Sequence, residues 1–182
     1  MCQSKLRHID TAYHYQNEDA VGRAVNYCID QGLVTRADLY ITTKLADHHK
    51  LPAWPKRAIE TQLKALNLDY IDLYLIHSPW SLEPSDDCWT NPDRSKWSKV
   101  ENDLPVMADV DPVQTWKELE DFVDKGWVKS LGVSNFSENQ IDEILKVCKH
   151  RPQMNQVECT PLFSQAPLLE YCTKIEMITS EY

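Results

Sequence analysis

An α/β fold with a parallel sheet covered by helices is what this sequence predicts, on two observations. Short β-branched runs alternate with segments of helical period, and the runs are continuously apolar. A strand buried on both faces reads that way, whereas a half-solvated antiparallel strand alternates in polarity. The strand candidates are "LRHI" (6–9), "LYITTKL" (39–45), "IDLYLIH" (71–77), "VKSLGVS" (128–134), "QMNQVE" (153–158) and "MITSEY" (177–182). Helical stripes lie between them: Val21, Ala24, Val25 and Cys28; Ile59, Leu63 and Leu66; Trp116, Leu119 and Val123; Ile141, Ile144, Leu145 and Cys148; and, more briefly, Leu168, Leu169 and Cys172. Gly32 and Gly126 follow helices, and Pro112 and Ser137 stand where helices begin.

Two architectures use such units, an open doubly wound sheet and a closed (β/α)8 barrel. The chain has four glycines and no GxGxxG after any strand, so a Rossmann-type site lacks its phosphate-cradling turn. A barrel gathers its chemistry at the C-terminal ends of several strands. Five successive strand ends read "HID", "TTK", "LIH", "VSN" and "QVE". One polar strand end is ordinary; Asp, Lys, His and Asn on four different ends fit a barrel.

The length suits one domain with a sizeable core. A net charge of −9 without a basic stripe argues against a nucleic-acid partner. No stretch approaches the ~18 apolar residues of a membrane span, and the start "MCQSKLRHID" has no apolar signal region. Six scattered cysteines without a CxxC pair exclude a zinc ribbon and suit a reducing compartment, so the expected setting is cytoplasmic.

Residues 78–111 hold eight acidic residues, four prolines and three tryptophans. Disordered linkers are poor in aromatics, so this long acidic loop is expected to be ordered and to line a site. The stretch "HIDTAYHYQNEDAVG" is also unusual, because it places a carboxylate and two tyrosines where a turn normally carries Gly, Pro, Asn or Ser.

That stretch, with "YITTKL", "LDYIDLYLIHSP", "GVSNF" and "NQVE", resembles the successive signatures of the aldo-keto reductase family. Order and intervals both match, from about residue 6 to at least residue 172. The resemblance implies a (β/α)8 TIM barrel and NADP(H)-dependent hydride transfer to the carbonyl of a small-molecule aldehyde or ketone. It assigns catalysis to Asp10, Tyr15, Lys44 and His77. Tyr15 is then the general acid. A free phenol titrates near ~10, and an ammonium beside it favours the phenolate, which is the role implied for Lys44. Asp10 would hold Lys44, and His77 would be a neutral donor orienting the carbonyl oxygen. Ser134, Asn135 and Gln156 match the positions that bind the nicotinamide carboxamide, which offers both a donor and an acceptor. Tyr182 falls where the family stacks an aromatic on the nicotinamide, although "TSEY" departs from the usual small residue before it.

Other departures are "HSPW", in which Ser78 reshapes the pocket and Trp80 partly compensates; Thr160 in place of a common His; and "LADHHK", which lacks an aromatic after the Lys motif. Asp47, His48 and His49 could suggest a metal site, but the adjacent histidines are read as facing different ways in solvent, and no metal is expected. A full barrel needs about 250 residues. The resemblance therefore implies a truncated one: residues 1–182 as a single partial-barrel domain of six strands and five helices, without the family's first strand and C-terminal βα units. Three functions are open: the carbonyl reductase, a catalytically silent fragment acting through protein association, and a metal-dependent barrel hydrolase. The last has only His8 and Asp10, on one strand face, in its favour.

Overall fold

The computed structural model describes residues 6–182. Six parallel strands, β1 (His8–Asp10), β2 (Tyr40–Leu45), β3 (Ile71–Ile76), β6 (Val128–Ser134), β7 (Met154–Val157) and β8 (Ile178–Glu181), form one sheet in the order β1-β2-β3-β6-β7-β8. Five helices connect them: α1 (Glu18–Asp30), α2 (Trp54–Leu66), α3 (Pro112–Asp124), α4 (Glu138–Leu145) and α5 (Ala166–Lys174). A separate antiparallel pair, β4 (Val100–Glu101) and β5 (Leu104–Pro105), lies inside the long acidic loop. The sheet is curled into part of a barrel.

Two of the helices, α3 and α4, start at side-chain caps. The Asp111 carboxylate accepts from the Val113 amide at 2.8 Å with Pro112 in the first turn, and Ser137 and Gln140 form a reciprocal capping box. Gly32 and Gly126 sit just past α1 and α3 with φ of 65° and 74°, where a side chain would be strained.

Strand periodicity divides the buried residues between two faces. Leu45, Tyr74, Ile76, Leu131 and Val133 pack under the helices with Ile59, Leu66, Trp116, Leu119 and Ile144. Thr42 and Lys44, Leu73 and Leu75 alternate with them and face the concave side. Where α1 crosses α2 the backbones nearly touch: a Cβ on Gly22 would lie 2.4 Å from the Leu66 carbonyl oxygen.

The acidic loop packs two of its tryptophans onto the turns after β1 and β2. Asn102 and Asp103, with φ of 50° and 62°, turn the β4–β5 hairpin. Trp97 is buried against Tyr13, His14 and His48, with ring centroids 5.0, 6.0 and 5.2 Å away, and Trp89 stacks on His49 at 3.8 Å. Among the described residues, no helix is long and apolar enough to cross a membrane.

Candidate active site

Asp10 ends β1, Lys44 lies near the end of β2, and His77 directly follows β3. The parallel register therefore brings them to one rim of the sheet, with Tyr15 on the short 3₁₀ turn Tyr13–Tyr15 after β1. Lys44 is 1% exposed, yet its ammonium is well supplied with partners. Nζ donates to Asp10 Oδ1 at 2.5 Å, to the Thr11 carbonyl at 3.0 Å and towards the Tyr15 hydroxyl at 3.4 Å. A buried ammonium without such acceptors would be prohibitively costly. The Tyr15 side of the triad opens outward, since Tyr15 is 47% exposed.

His77 faces Tyr15 edge-on at 6.0 Å between ring centroids and packs against His14 at 4.9 Å. Its Nδ1 is buried without a hydrogen-bond partner, which leaves Nε2 as the nitrogen able to reach a ligand. Burial, and after it the charge of His14, pushes the imidazole down to about 4, so the ring is neutral at pH 7.

Ser134, Asn135, Gln156 and Tyr182 border the same rim. Ser134 Oγ donates to the Gln156 carbonyl at 2.9 Å, and Asn135 Nδ2 donates to the His77 carbonyl at 3.2 Å. Tyr182 donates its hydroxyl to Asn135 Oδ1 at 2.9 Å. Asn135 holds a left-handed backbone, φ 64°, which Asn tolerates better than most residues. Asp10, Tyr15, Gln156 and Tyr182 share a trough of about 290 Å³. A larger cavity of about 860 Å³ lies beside it, between the loops after β6 and β7, with Asn135, Phe136, Phe163 and Leu168 among its walls. None of Asp10, Tyr15, Lys44 and His77 lines it, whereas Asp10 and Tyr15 line the smaller trough.

The family model for the aldo/keto reductase family matches residues 3–181. The chain belongs to the aldo-keto reductase family. It is 39% identical over 182 residues to dihydrodiol dehydrogenase 3 of Bos taurus and 40% identical over 180 residues to prostaglandin F synthase 1 of Bos taurus. Those alignments cover 99% and 97% of this chain but 54% and 53% of the relatives, so the chain spans about half the length of the curated relatives it matches. The aldose reductase structure from Schistosoma japonicum superposes with a TM-score of 0.88 at 36% identity, covering 97% of this chain and 56% of that one. A Bombyx mori aldo-keto reductase in complex with NADP gives 0.83 at 36% identity, covering 97% and 51%. The sheet is accordingly an incomplete (β/α)8 barrel.

Within this aldo-keto reductase frame, one reading of the sequence is overturned. Asp47, His48 and His49 do not face solvent; all three are buried, together with Lys50. The acidic loop covers them with Trp89 and Trp97, which a reading of the short "LADHHK" segment alone does not reveal. Among the described residues, no three or more His, Cys, Asp or Glu gather so as to hold a metal ion. His8 instead bonds Thr42 Oγ1 through Nε2 at 2.9 Å. Two further participants escaped the sequence: His14, which packs on His77, and the direct Gln156–Asp10 contact, in which Nε2 donates to Oδ2 at 3.0 Å.

Proposed function

We propose that the protein is an NADP(H)-dependent oxidoreductase that reduces aldehyde or ketone carbonyls to alcohols, with residues 1–182 as one partial-barrel domain carrying the catalytic rim. The observation that carries this reading is the buried Lys44 ammonium held between the Asp10 carboxylate and the Tyr15 hydroxyl. Tyr15 donates its proton to the carbonyl oxygen as that oxygen becomes an alkoxide. The Lys44 charge favours the phenolate left behind, and the exposure of Tyr15 lets water restore the proton. Asp10 keeps the ammonium aimed, with one oxygen on Lys44 and the other on Gln156. Neutral His77 donates from Nε2 to the same carbonyl oxygen and fixes its orientation.

The donor set suits a nicotinamide ring. Hydroxyl and amide groups of Ser134, Asn135 and Gln156 supply both donors and acceptors beside the trough, and Tyr182 supplies an aromatic face at its edge. When bound, the reduced cofactor supplies the hydride that the carbonyl carbon receives. The test is Tyr15→Phe, which keeps the ring and removes the proton. Carbonyl reduction with NADPH should fall by about 10²–10⁴ while cofactor binding stays within a factor of about two. Near-normal turnover in that variant removes Tyr15 from the role of acid. If the parent chain binds NADPH yet gives no turnover, the silent, association-based reading gains.

A further inference from the structure

Asp47 and Lys50 take no part in the chemistry above, yet both are buried. The Lys50 ammonium donates to Asp47 Oδ1 at 3.1 Å, to the Ser78 carbonyl at 2.6 Å and to the Trp80 carbonyl at 2.5 Å. The Ser78 hydroxyl closes the ring by donating to Asp47. The Asp47 carbonyl accepts from the Leu82 amide at 3.0 Å. Apart from the Lys50–Asp47 pair itself, these bonds tie the turn after β2 to residues 78–82, and residue 78 is the immediate neighbour of His77. A buried ion pair is a weak source of stability, because desolvation offsets most of the attraction. What it does supply is a fixed geometry.

We propose that Asp47 and Lys50 form a buried clamp that positions His77: the ammonium ties down the turn that follows the histidine, and the carboxylate offsets that ammonium's charge at the ring. The proposal rests on the reading of His77 as the group that orients the carbonyl. His77 is held from three sides. Its amide donates to the Leu45 carbonyl at 3.2 Å, its carbonyl accepts from Asn135, and its successor is gripped by Lys50. The ring is faced by His14 and Tyr15 from the turn after β1, Lys44 from β2, and Asp47 and Lys50 from the turn after β2; Asn135 after β6 is uncharged. Lys44 is balanced by Asp10 and Lys50 by Asp47, so the ring sees little net charge. Removing one member of the clamp breaks that balance as well as the turn.

The test follows the histidine resonances of the 182-residue chain by NMR against pH, with His77 assigned through His77→Gln. In Lys50→Met, Asp47 is left uncompensated, and the His77 midpoint should rise measurably from its starting value of about 4. An unmoved midpoint in a folded Lys50→Met chain overturns the proposal. Should that variant fail to fold, Asp47→Asn combined with Lys50→Met leaves no unpaired charge. The Leu82 amide, which donates to the Asp47 carbonyl, should then exchange at least about tenfold faster while β2 and β3 keep their protection. Unchanged exchange at Leu82 overturns the proposal equally. Neither readout uses turnover, so failure of the catalytic reading is separately visible as full activity in His77→Gln.

Discussion

Gln156 donates from Nε2 to Oδ2 of Asp10 at 3.0 Å, joining β7 to β1 across 146 residues of sequence. Three strands lie between those two in the sheet order, so a flat sheet would keep them well apart. Only the curl of the sheet brings the two side chains together, and the contact completes the solvation of Asp10: one oxygen on Lys44, the other on Gln156. Strands β1, β2 and β7 thus meet at one carboxylate.

The Asp10–Lys44 pair should respond unequally to loss of either partner. Lys44→Met leaves a carboxylate that is 32% exposed and still bonded to Gln156, so stability should change by no more than about 1–2 kcal/mol. Asp10→Asn leaves a fully buried ammonium without a counter-charge and should cost about 3–5 kcal/mol. Both should abolish carbonyl reduction. Denaturant midpoints decide the matter, and equal destabilisation would mean that Lys44 does not depend on Asp10.

Gly22 should tolerate no side chain. A Cβ there would lie 2.4 Å from the Leu66 carbonyl oxygen and 2.7 Å from its Cα, both rigid backbone. Asn26 on the same helix already donates to that carbonyl at 3.2 Å, so α1 and α2 are bound at this crossing and cannot slide. Gly22→Ala should destabilise the chain by about 1–3 kcal/mol despite the better helix propensity of Ala. A melting temperature equal to or above that of the parent would show that the two helices are free to part.

The strands and helices were legible because each carries its own period, and the rim residues were legible because they fall at strand ends. What escaped depends on contacts between distant segments. The first strand reads as residues 6–9 but is formed by His8–Asp10, because pairing of His8 with Tyr40 and Asp10 with Thr42 decides its extent. The β4–β5 hairpin has strands of two residues and an Asn-Asp turn, too short for alternation to register. His48 and His49 look like a polar loop until Trp89 and Trp97, forty or more residues later, cover them. The family motifs carry the four residues proposed to be catalytic but say nothing of Lys50, whose partners are mainly backbone carbonyls.

The buried histidines should make the protein acid-sensitive. Burial pushes His77 down to about 4, His48 to about 3 and His49 to about 2, and lowers His14 as well. In the unfolded chain each titrates near about 6.5, so between pH 6.5 and those lower values the unfolded state binds more protons than the folded one. Stability is then fully present above pH about 6.5 and is lost as pH falls through it. Each histidine contributes up to about 1.4 kcal/mol per pH unit in that window, and net domain stability is only about 5–15 kcal/mol. Glu18 acts in the opposite sense, because burial raises its carboxyl and acid favours its folded form; one such group offsets only part of the loss. His49 isolates the effect. Neither of its ring nitrogens has a hydrogen-bond partner, and it lies flat on Trp89 with an interplanar angle of 8°. His49→Phe therefore keeps the stack, gives up no hydrogen bond and removes one titrating group. Melting temperatures from pH 8 to pH 5 should fall steeply below pH about 6.5 in the parent and distinctly less in His49→Phe. Parallel curves for the two proteins would show that burial of His49 does not resist its protonation.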